Sequence, residues 1–344
     1  MSATTATVDV ELDTKHSELS NAPLAFFYEH PQWFQPTFAE LDKRGESYSK
    51  IFAPEHFYTP GGERPGFRVL FNRMSPSADR RGHGSAILHT LSWLGQLELQ
   101  GVRVINGTKA FRYEISKALQ LSLLAELGIR FPKSRVIHDP RHAVAASEGL
   151  RYPVVVKPNV GGSGAGIVRF DSPAELQAAI DAGTLELGFD HIGLVQEFVP
   201  ARGGHITRVE TLGGKYLYAI QVHLTGETFD LCPADICQST RGEALTNTGG
   251  GACVIEAAKA GLKVEGYTPP ADVIANVEKI VQAAGIDVGG IEYVVDDRDG
   301  EVYYYDVNAL SNFVADATRV VGFNPFENLA DYLQAVVEAE VNRG

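Results

Sequence analysis

The sequence predicts an α/β protein with additional α+β lobes, on three observations. From residue 22 to about 105, short apolar runs alternate with amphipathic stretches, which indicates strands and helices in turn and a mainly parallel sheet. In residues 152–170, YPVVVKPNVGGSGAGIVRF, two apolar runs enclose four glycines within six residues. Near the end of the chain, a DRDG turn joins IEYVV to EVYYYDVNA, which predicts an antiparallel hairpin.

Composition indicates a globular protein of two or three domains, because 344 residues with 44% apolar content can bury sizeable cores. The first twenty residues lack the basic start and apolar core of a signal peptide, so we interpret 1–21 as a flexible tail. No run approaches the roughly 18 to 20 apolar residues of a membrane span. The three cysteines, Cys232, Cys237 and Cys253, are too few for a disulfide framework and fit a reducing cytoplasm. The alternative, a metal pair at Cys232 and Cys237, lacks a second Cys or His pair at ligand spacing.

The formal net charge of −13 argues against nucleic acid as a partner, since binding to a phosphate backbone requires basic surface. Any phosphate site must therefore be built locally, against the field of the whole protein.

The first 130 residues contain the clearest periodic segments. A helix over 111–128 is predicted because Ile115, Leu119 and Leu123 share one face, with Leu124 and Leu127 beside them and Gly128 as the stop. The preceding segments are predicted as strands at 24–27, 48–53, 67–72 and 102–106 and as helices at 33–44, closed by Gly45, and Ser85–Leu99.

The glycine-rich segment is predicted to be a turn between two strands. A capping box over Ser172–Glu175 begins the next helix only after the second strand. This order excludes a dinucleotide fingerprint and a Walker loop, both of which open a helix. Two interpretations remain, a plain surface hairpin and a loop whose N–H groups cover an anion. Lys157, directly before the loop, favours phosphate, whereas Lys117 taken singly is typical of a solvated helix charge.

Two later segments also carry polar groups on apolar strands. In GLVQEFVPARGG, the pair Gln196 and Glu197 is typical either of a linker whose backbone meets an adenine edge or of a solvent-facing pair. In the last hairpin, alternation places Glu292, Asp306 and Asn308 on one face. Converging oxygens on an apolar hairpin favour Mg²⁺. The alternative is that these groups face solvent, as the turn residues Asp296, Asp297 and Asp299 are expected to do.

In chain order, Lys117 in ISKALQLSLLAELGI, VVVKP with the glycine loop, VQEFV, and IEYVV followed by YYDVNA resemble the ATP-grasp superfamily, and within it the RimK-type glutamate ligases and their lysine-biosynthesis relatives. The resemblance runs from about residue 68 to 340 and includes LFNRMSPS and GVRVING. It implies an ATP-grasp fold preceded by a small Rossmann-like pre-ATP-grasp domain. The implied boundaries are 22–106 for this domain, 107–198 for an N-terminal lobe with a glycine-loop lid, and 199–344 for a C-terminal lobe with the metal site.

The resemblance also implies roles for single residues. His205 falls where a ribose-binding acidic group is expected, and the arginine of an Arg-x-Asn motif is replaced by Leu245, for which Arg241 is a substitute. The implied nucleotide residues are Lys117, Lys157, Gly161, Gly162, Ser163, Gly164, Gly166, Gln196, Glu197, Phe198, Val199, His205 and Asn247. The implied catalytic residues are Lys157, Arg208 and Arg241, and Glu292, Asp306 and Asn308 are the implied ligands of two Mg²⁺ ions, with Mn²⁺ as a substitute.

The loop FNRMSPSADRRGHG (71–84) follows a strand of the first domain, and it carries Arg73, Arg80, Arg81 and His83. Arginines at the carboxyl end of a parallel strand fit carboxylate recognition, and a solvated basic loop is the alternative.

The function that follows from the resemblance is ATP-dependent joining of a carboxylate to an amine through an acyl phosphate, with release of ADP and phosphate. The partners expected are a small-molecule or peptide carboxylate, an amine and a second copy of the chain, in the cytoplasm. Two rivals are an ATP-grasp kinase that phosphorylates a small molecule and a catalytically silent ATP-binding regulatory protein.

Overall fold

The computed structural model describes residues 22–30, 32–162, 164–223 and 263–343. The interpretation of 1–21 as a tail, the three cysteines, and the site residues Ser163, Arg241 and Asn247 lie outside the described residues.

The first domain is a parallel sheet with helices, as the alternation predicted. Its strand order is β2-β1-β3-β4, and every neighbouring pair is parallel. The first helix ends at Gly45, which adopts the left-handed conformation (φ 73°) that glycine tolerates best. The elements are β1 (Leu24–Tyr28), α1 (Gln35–Arg44), β2 (Tyr48–Phe52), β3 (Val69–Arg73), α2 (Gly84–Leu99) and β4 (Arg103–Ile105).

The single helix predicted over 111–128 is wrong, because the chain forms two helices, α3 (Thr108–Glu114) and α4 (Lys117–Glu126). Ser116 lies between them in extended conformation, and its side chain accepts a hydrogen bond from the N–H of Leu119. The Asn159 side chain accepts another from the N–H of Ala118. The apolar period continues across the break, so only the serine cap signals it.

The second sheet carries the glycine loop. Its strand order is β5-β8-β6-β7, and its neighbouring pairs are antiparallel. The loop joins β6 to β7, which confirms the strand–turn–strand prediction, and the Ser172 side chain caps the following helix at Glu175 N–H. The elements are β5 (Ser134–Ile137), α5 (Ala143–Ser147), β6 (Val154–Pro158), β7 (Val168–Phe170), α6 (Pro173–Asp181) and β8 (Gly193–Glu197).

The third sheet, of order β11-β10-β9-β12-β13, is antiparallel and contains the predicted hairpin as β12 and β13. Its strand β13 lies at the edge. The elements are β9 (His205–Leu212), β10 (Lys215–His223), β11 (Val264–Tyr267), α7 (Ala271–Ala284), β12 (Val288–Val295), β13 (Val302–Asn308), α8 (Ala317–Val321) and α9 (Pro325–Arg343).

The first domain and the third sheet share one hydrophobic core, in which Leu24 and Phe71 pack in one cluster with Ile220 and Leu333. The second sheet has a separate core around Val154, Val195 and Leu176. In the part of the chain that the structure describes, no helix is long and apolar enough to cross a membrane.

Candidate nucleotide and metal site

A narrow cavity of about 40 Å³ lies between the second and third sheets. It brings together features predicted from three separate stretches of sequence: the glycine loop, two lysines and two carboxylates. The lining residues are Lys117, Lys157, Pro158, Gly161, Gly162, Gly164, Ala165, Ile167, Glu292, Tyr305 and Asp306.

Lys157 lies near the end of β6 and is only 3% exposed. A strand-end lysine ordinarily extends into solvent, because burying an ammonium group costs several kcal/mol unless an anion compensates it. Its burial in a cavity beside Glu292 and Asp306 therefore indicates a site built for charge rather than a solvated strand end.

The glycine loop is held against Lys117, whose Nζ donates a hydrogen bond of 2.6 Å to the carbonyl oxygen of Gly161. Gly166 has a φ of 74°, and a Cβ there would lie 2.9 Å from Pro158 Cγ, so this position requires glycine. A cavity of about 40 Å³ holds a few water molecules and no polyphosphate.

The metal-ligand candidates share one face of the hairpin, as the alternation predicted. Glu292 is the cross-strand partner of Asp306, and Gly290 is the partner of Asn308. The Asn308 amide donates hydrogen bonds of 3.2 Å to Asp306 Oδ2 and to the carbonyl oxygen of Gly290. Within the described ranges no group of three or more His, Cys, Asp or Glu side chains is placed to hold a metal ion, so the candidate donor set is two carboxylates and one amide.

Glu292 belongs to a buried charge cluster with Arg208 and Glu210. Arg208 Nη1 donates to Glu292 Oε1 at 2.8 Å, and Nε donates to Glu210 Oε1 at 2.6 Å. Burial raises the pKa of Glu292, and Arg208 opposes that rise. The second oxygen, Glu292 Oε2, is buried without a hydrogen bond of normal geometry. Tyr305 also lowers the pKa of Glu292 through a side-chain hydrogen bond. A buried carboxylate beside Asp306 and Asn308 fits a divalent cation with oxygen ligands.

Two buried carboxylates next to the site were not predicted from the sequence. Glu114, at the end of α3, accepts hydrogen bonds through Oε2 from the N–H groups of Ala309 and Leu310. Burial raises its pKa to about 7, with a further rise from Asp306 and a lowering effect from Lys117. Glu210 accepts from the Ser311 hydroxyl. In sequence both look like ordinary charges on a helix and a strand, and neither falls in a recognisable motif.

The segment predicted to meet adenine is buried, which excludes the solvent-facing interpretation of Gln196 and Glu197. Gln196 Nε2 donates to Ser134 Oγ at 2.8 Å, and its Oε1 is buried without a partner. The N–H groups of Glu197 and Phe198 already donate to the carbonyl oxygens of Lys133 and Pro153, both at 2.9 Å.

His205 begins β9 beside His223, with 5.5 Å between the ring centroids. Its Nδ1 lies 3.3 Å from the carbonyl oxygen of Gly203. His223 contacts Glu265, the carboxylate of this small cluster, through Nε2 at 2.9 Å.

Arg73, the last residue of β3, is buried, so the solvated-loop interpretation is wrong for it. Its guanidinium lies over the rings of Phe34 and Phe71, 4.6 and 4.9 Å from their centroids. Nη2 donates to the Ser311 carbonyl oxygen and, at 2.8 Å, to Asn312 Oδ1, while Nη1 is buried without a partner. Burial lowers the pKa of Arg73 to about 9.

The other two arginines of the loop differ from each other. Arg81 forms an ion pair with the buried Glu29, to which His83 Nδ1 also lies within 2.7 Å. Arg80 is exposed. Arg81 therefore neutralises a carboxylate of its own protein, in contrast to the expectation that it receives one from a substrate.

Residues 115–228 match the model of the RimK-like ATP-grasp domain family. A probable alpha-L-glutamate ligase from Thioalkalivibrio sulfidiphilus (strain HL-EbGR7) is 30% identical over 164 residues, which are 47% of this chain and 50% of the relative. The chain spans about half the length of the curated relatives it matches.

Solved structures match nearly the whole chain. The RimK domain protein ATP-grasp from Sphaerobacter thermophilus DSM 20745 has a TM-score of 0.61 at 19% identity and covers 90% of this chain and 99% of its own. The ATP-grasp ligase PsnB complexed with minimal precursor, Mg and ADP has a TM-score of 0.61 at 16% identity, with coverage of 93% and 99%. The chain therefore has the ATP-grasp fold, and its residues 115–228 match the RimK-like ATP-grasp domain family.

Proposed function

We propose that this protein is an ATP-dependent carboxylate–amine ligase that forms an amide or peptide bond. The observation that carries the proposal is the convergence of Lys117, Lys157, the glycine loop, Glu292 and Asp306 on one cavity. The names of the sequence relatives and of the PsnB structure, all ligases, support it.

Lys117 and Lys157 are proposed to neutralise the phosphates of ATP beneath the glycine loop. Phosphoryl transfer needs positioning and charge neutralisation more than covalent participation by the protein, and compact lysine cations suit that task. The loop residues Gly161 to Gly166 then exclude water, which would otherwise hydrolyse an activated acid. The hinge residues Gln196, Glu197, Phe198 and Val199 are proposed to meet the adenine, with His205 near the ribose.

Glu292, Asp306 and Asn308 are proposed to hold Mg²⁺, which supplies charge neutralisation for the transferring phosphoryl group. We propose that two Mg²⁺ ions bind here and that Mn²⁺ can replace them. Arg208 opposes the rise in the pKa of Glu292 that burial causes, and its 2.8 Å hydrogen bond orients the carboxylate toward the proposed metal.

The reaction is proposed to proceed in two balanced steps. A carboxylate oxygen of the acid attacks the γ-phosphorus, the bond from that phosphorus to the bridging oxygen breaks, and ADP leaves. The amine nitrogen then attacks the acyl carbon, the carbon–oxygen bond to phosphate breaks, the nitrogen loses a proton, and phosphate leaves.

Arg73 is the best-supported candidate for the acid substrate among the three loop arginines. It is a buried guanidinium with an unpartnered Nη1. It also donates to Asn312, which follows β13, the strand that carries Asp306 and Asn308. The acid and the amine are proposed to be small molecules or peptides, since the PsnB structure contains a precursor. We also propose that the protein is cytoplasmic and forms a homo-oligomer. Size-exclusion chromatography with light scattering tests the oligomeric state.

Trapping with hydroxylamine tests the ligase against both rivals. Candidate amino acids and short peptides are incubated with MgATP and hydroxylamine but without an amine. A ligase yields ADP and the hydroxamate of its acid, a kinase yields ADP and a phosphate ester that hydroxylamine leaves intact, and a silent protein yields no ADP. ADP without hydroxamate for every acid would overturn the ligase assignment.

A further inference from the structure

We infer that Glu114 and Gln120 are positioning residues that hold the metal strand β13 from its outer edge by binding the backbone on either side of Asn308. The inference rests on the proposed function, because it concerns the strand that would carry the Mg²⁺ ligands.

Strand β13 lies at the edge of its sheet, so the outward backbone groups of alternate residues lack a neighbouring strand. At Val307, one side chain takes both groups: Gln120 Nε2 donates to the Val307 carbonyl oxygen at 2.9 Å, and Gln120 Oε1 accepts from the Val307 N–H at 3.1 Å. Gln120 is buried on α4. A single amide thus replaces the missing strand at this position.

On the other side of Asn308, Glu114 accepts from the N–H groups of Ala309 and of Leu310, the latter at 3.1 Å. Both bonds end on the same oxygen, Oε2. A neutral amide oxygen in that place can therefore accept them equally, whereas an aliphatic side chain of similar volume leaves both N–H groups buried and unpaired.

The carbonyl oxygen of Ala309 is held as well. Asn106 Nδ2 donates to it and, at 2.7 Å, to the Val288 carbonyl oxygen, while Asn106 Oδ1 accepts from the N–H groups of Asp287 and Val288 at 2.8 and 3.1 Å. Asn106 itself has the left-handed φ of 52°. The peptide groups next to Asn308 are thus fixed by three buried side chains from the segment 106–120.

This arrangement predicts that the backbone held by Glu114 and Gln120 fixes the direction in which Asn308 and Asp306 point. Groups that orient metal ligands typically change metal affinity or activity 10–100-fold when removed. The effect must appear in the response to metal, because loss of a purely structural hydrogen bond lowers stability without changing the affinity for Mg²⁺.

The test compares Glu114→Leu, Glu114→Gln and Gln120→Leu with the full-length wild type. The melting temperature is measured at saturating ADP over a Mg²⁺ titration, and kcat and the KM for MgATP are measured where turnover is found. We expect the two leucine variants to need about 10–100-fold more Mg²⁺ for the ADP-dependent shift and to lose kcat. Glu114→Gln is expected to stay within a few-fold of the wild type.

Glu98→Ala serves as the matched control. Glu98 Oε1 accepts from the N–H of Thr108 at 2.7 Å, so this variant removes a carboxylate-to-backbone hydrogen bond from the opposite end of α3. It should lower the melting temperature without ADP and leave the Mg²⁺ midpoint unchanged.

The possible outcomes distinguish a failure of the proposed metal site from a failure of the positioning role. A wild type with no Mg²⁺-dependent shift overturns the metal assignment in the proposed function, and this inference with it. A normal wild-type response retained in both leucine variants, or lost equally in Glu114→Gln, overturns the positioning role alone. Should the leucine variants fail to fold, amide exchange in the wild type decides the matter: rapid exchange at Val307, Ala309 and Leu310 overturns the inference.

Discussion

The ammonium group of Lys117 lies 2.6 Å from the carbonyl oxygen of Gly161 and joins the first turn of α4 to the glycine loop. In the present arrangement the lysine that would bind a phosphate is bound to the loop that would cover it. If Lys117 binds phosphate as proposed, ATP would take the place of the Gly161 carbonyl oxygen as the acceptor of this lysine.

Removing that lysine should free the loop and weaken nucleotide binding at the same time. We expect Lys117→Ala to speed amide exchange in residues 160–167 and to raise the Kd for MgATP about tenfold or more, since a hydrogen bond to a charged group contributes about 1.5–3 kcal/mol. Calorimetry and exchange mass spectrometry measure the two effects. Lys109→Ala, which removes an exposed lysine of α3, is the control, and an unchanged Kd in Lys117→Ala would refute the phosphate role.

Lys157 and the proposed metal ligands should be needed for turnover and dispensable for folding. Lys157→Ala should reduce hydroxamate formation by a factor equivalent to about 3 kcal/mol or more, because the transferring group loses a principal counter-charge. Asp306→Ala and Asn308→Ala should also reduce hydroxamate formation, because each removes a proposed metal ligand. The melting temperatures of both variants without nucleotide should stay close to that of the wild type. Asp297→Ala in the hairpin turn, exposed and paired with Arg202, should keep full turnover. Near-normal turnover in Asp306→Ala would contradict the ligand assignment.

The two neighbouring arginines of the first-domain loop should differ in stability. Arg81→Ala leaves the buried Glu29 with His83 as its remaining partner, and we expect a loss of about 3 kcal/mol in the free energy of unfolding. Arg80→Ala, an exposed change, should stay within about 0.5 kcal/mol. Urea titration measures both. A raised KM for the acid in Arg80→Ala, with unchanged MgATP binding, would return the loop to substrate recognition.

Glu114 should make the metal-free protein less stable as the pH rises. Burial raises its pKa from 4.5 to about 7 in the folded state, so the folded protein binds more protons than the unfolded chain between these values. The favourable contribution is complete below pH 4.5 and is lost as the pH rises through about 7, by on the order of 3 kcal/mol. Glu114→Gln removes this dependence. The stability of the variant relative to the wild type, measured by urea titration at pH 5 and pH 8, should therefore be greater at pH 8, and an equal difference at both would disprove the shift.

The parts of the fold that were predictable follow from local periodicity and caps. The parallel first sheet, the Gly45 stop and the Ser172 cap each depend on a few neighbouring residues, as does the placement of Glu292 and Asp306 on one face. The break at Ser116 was missed, because the apolar period runs through it and its second partner, Asn159, lies 43 residues away.

The site was predictable where a residue type has few other uses, and less so where a charge binds another part of the protein. Lys157 beside a glycine loop favoured phosphate over a plain surface hairpin, and the structure places this lysine in the cavity. Arg81 was predicted to bind a substrate carboxylate, because nothing in the sequence indicates its real partner. That partner, Glu29, lies 52 residues earlier, directly after β1, and belongs to no motif. The positions of Glu114 and Gln120 beside the site could not be predicted either, because their partners are backbone groups, which have no sequence signature.

The single core shared by the first domain and the third sheet has a consequence for any attempt to shorten the chain. A polypeptide beginning at residue 107 would lose Leu24, Phe26 and Phe71 and leave their partners Ile220 and Leu333 facing water. Such a fragment should aggregate or melt broadly rather than survive as an independent catalytic unit. In the intact protein the same packing couples the two parts, so calorimetry should record their heat denaturation as one cooperative event, with the separately packed second sheet as the segment able to melt on its own.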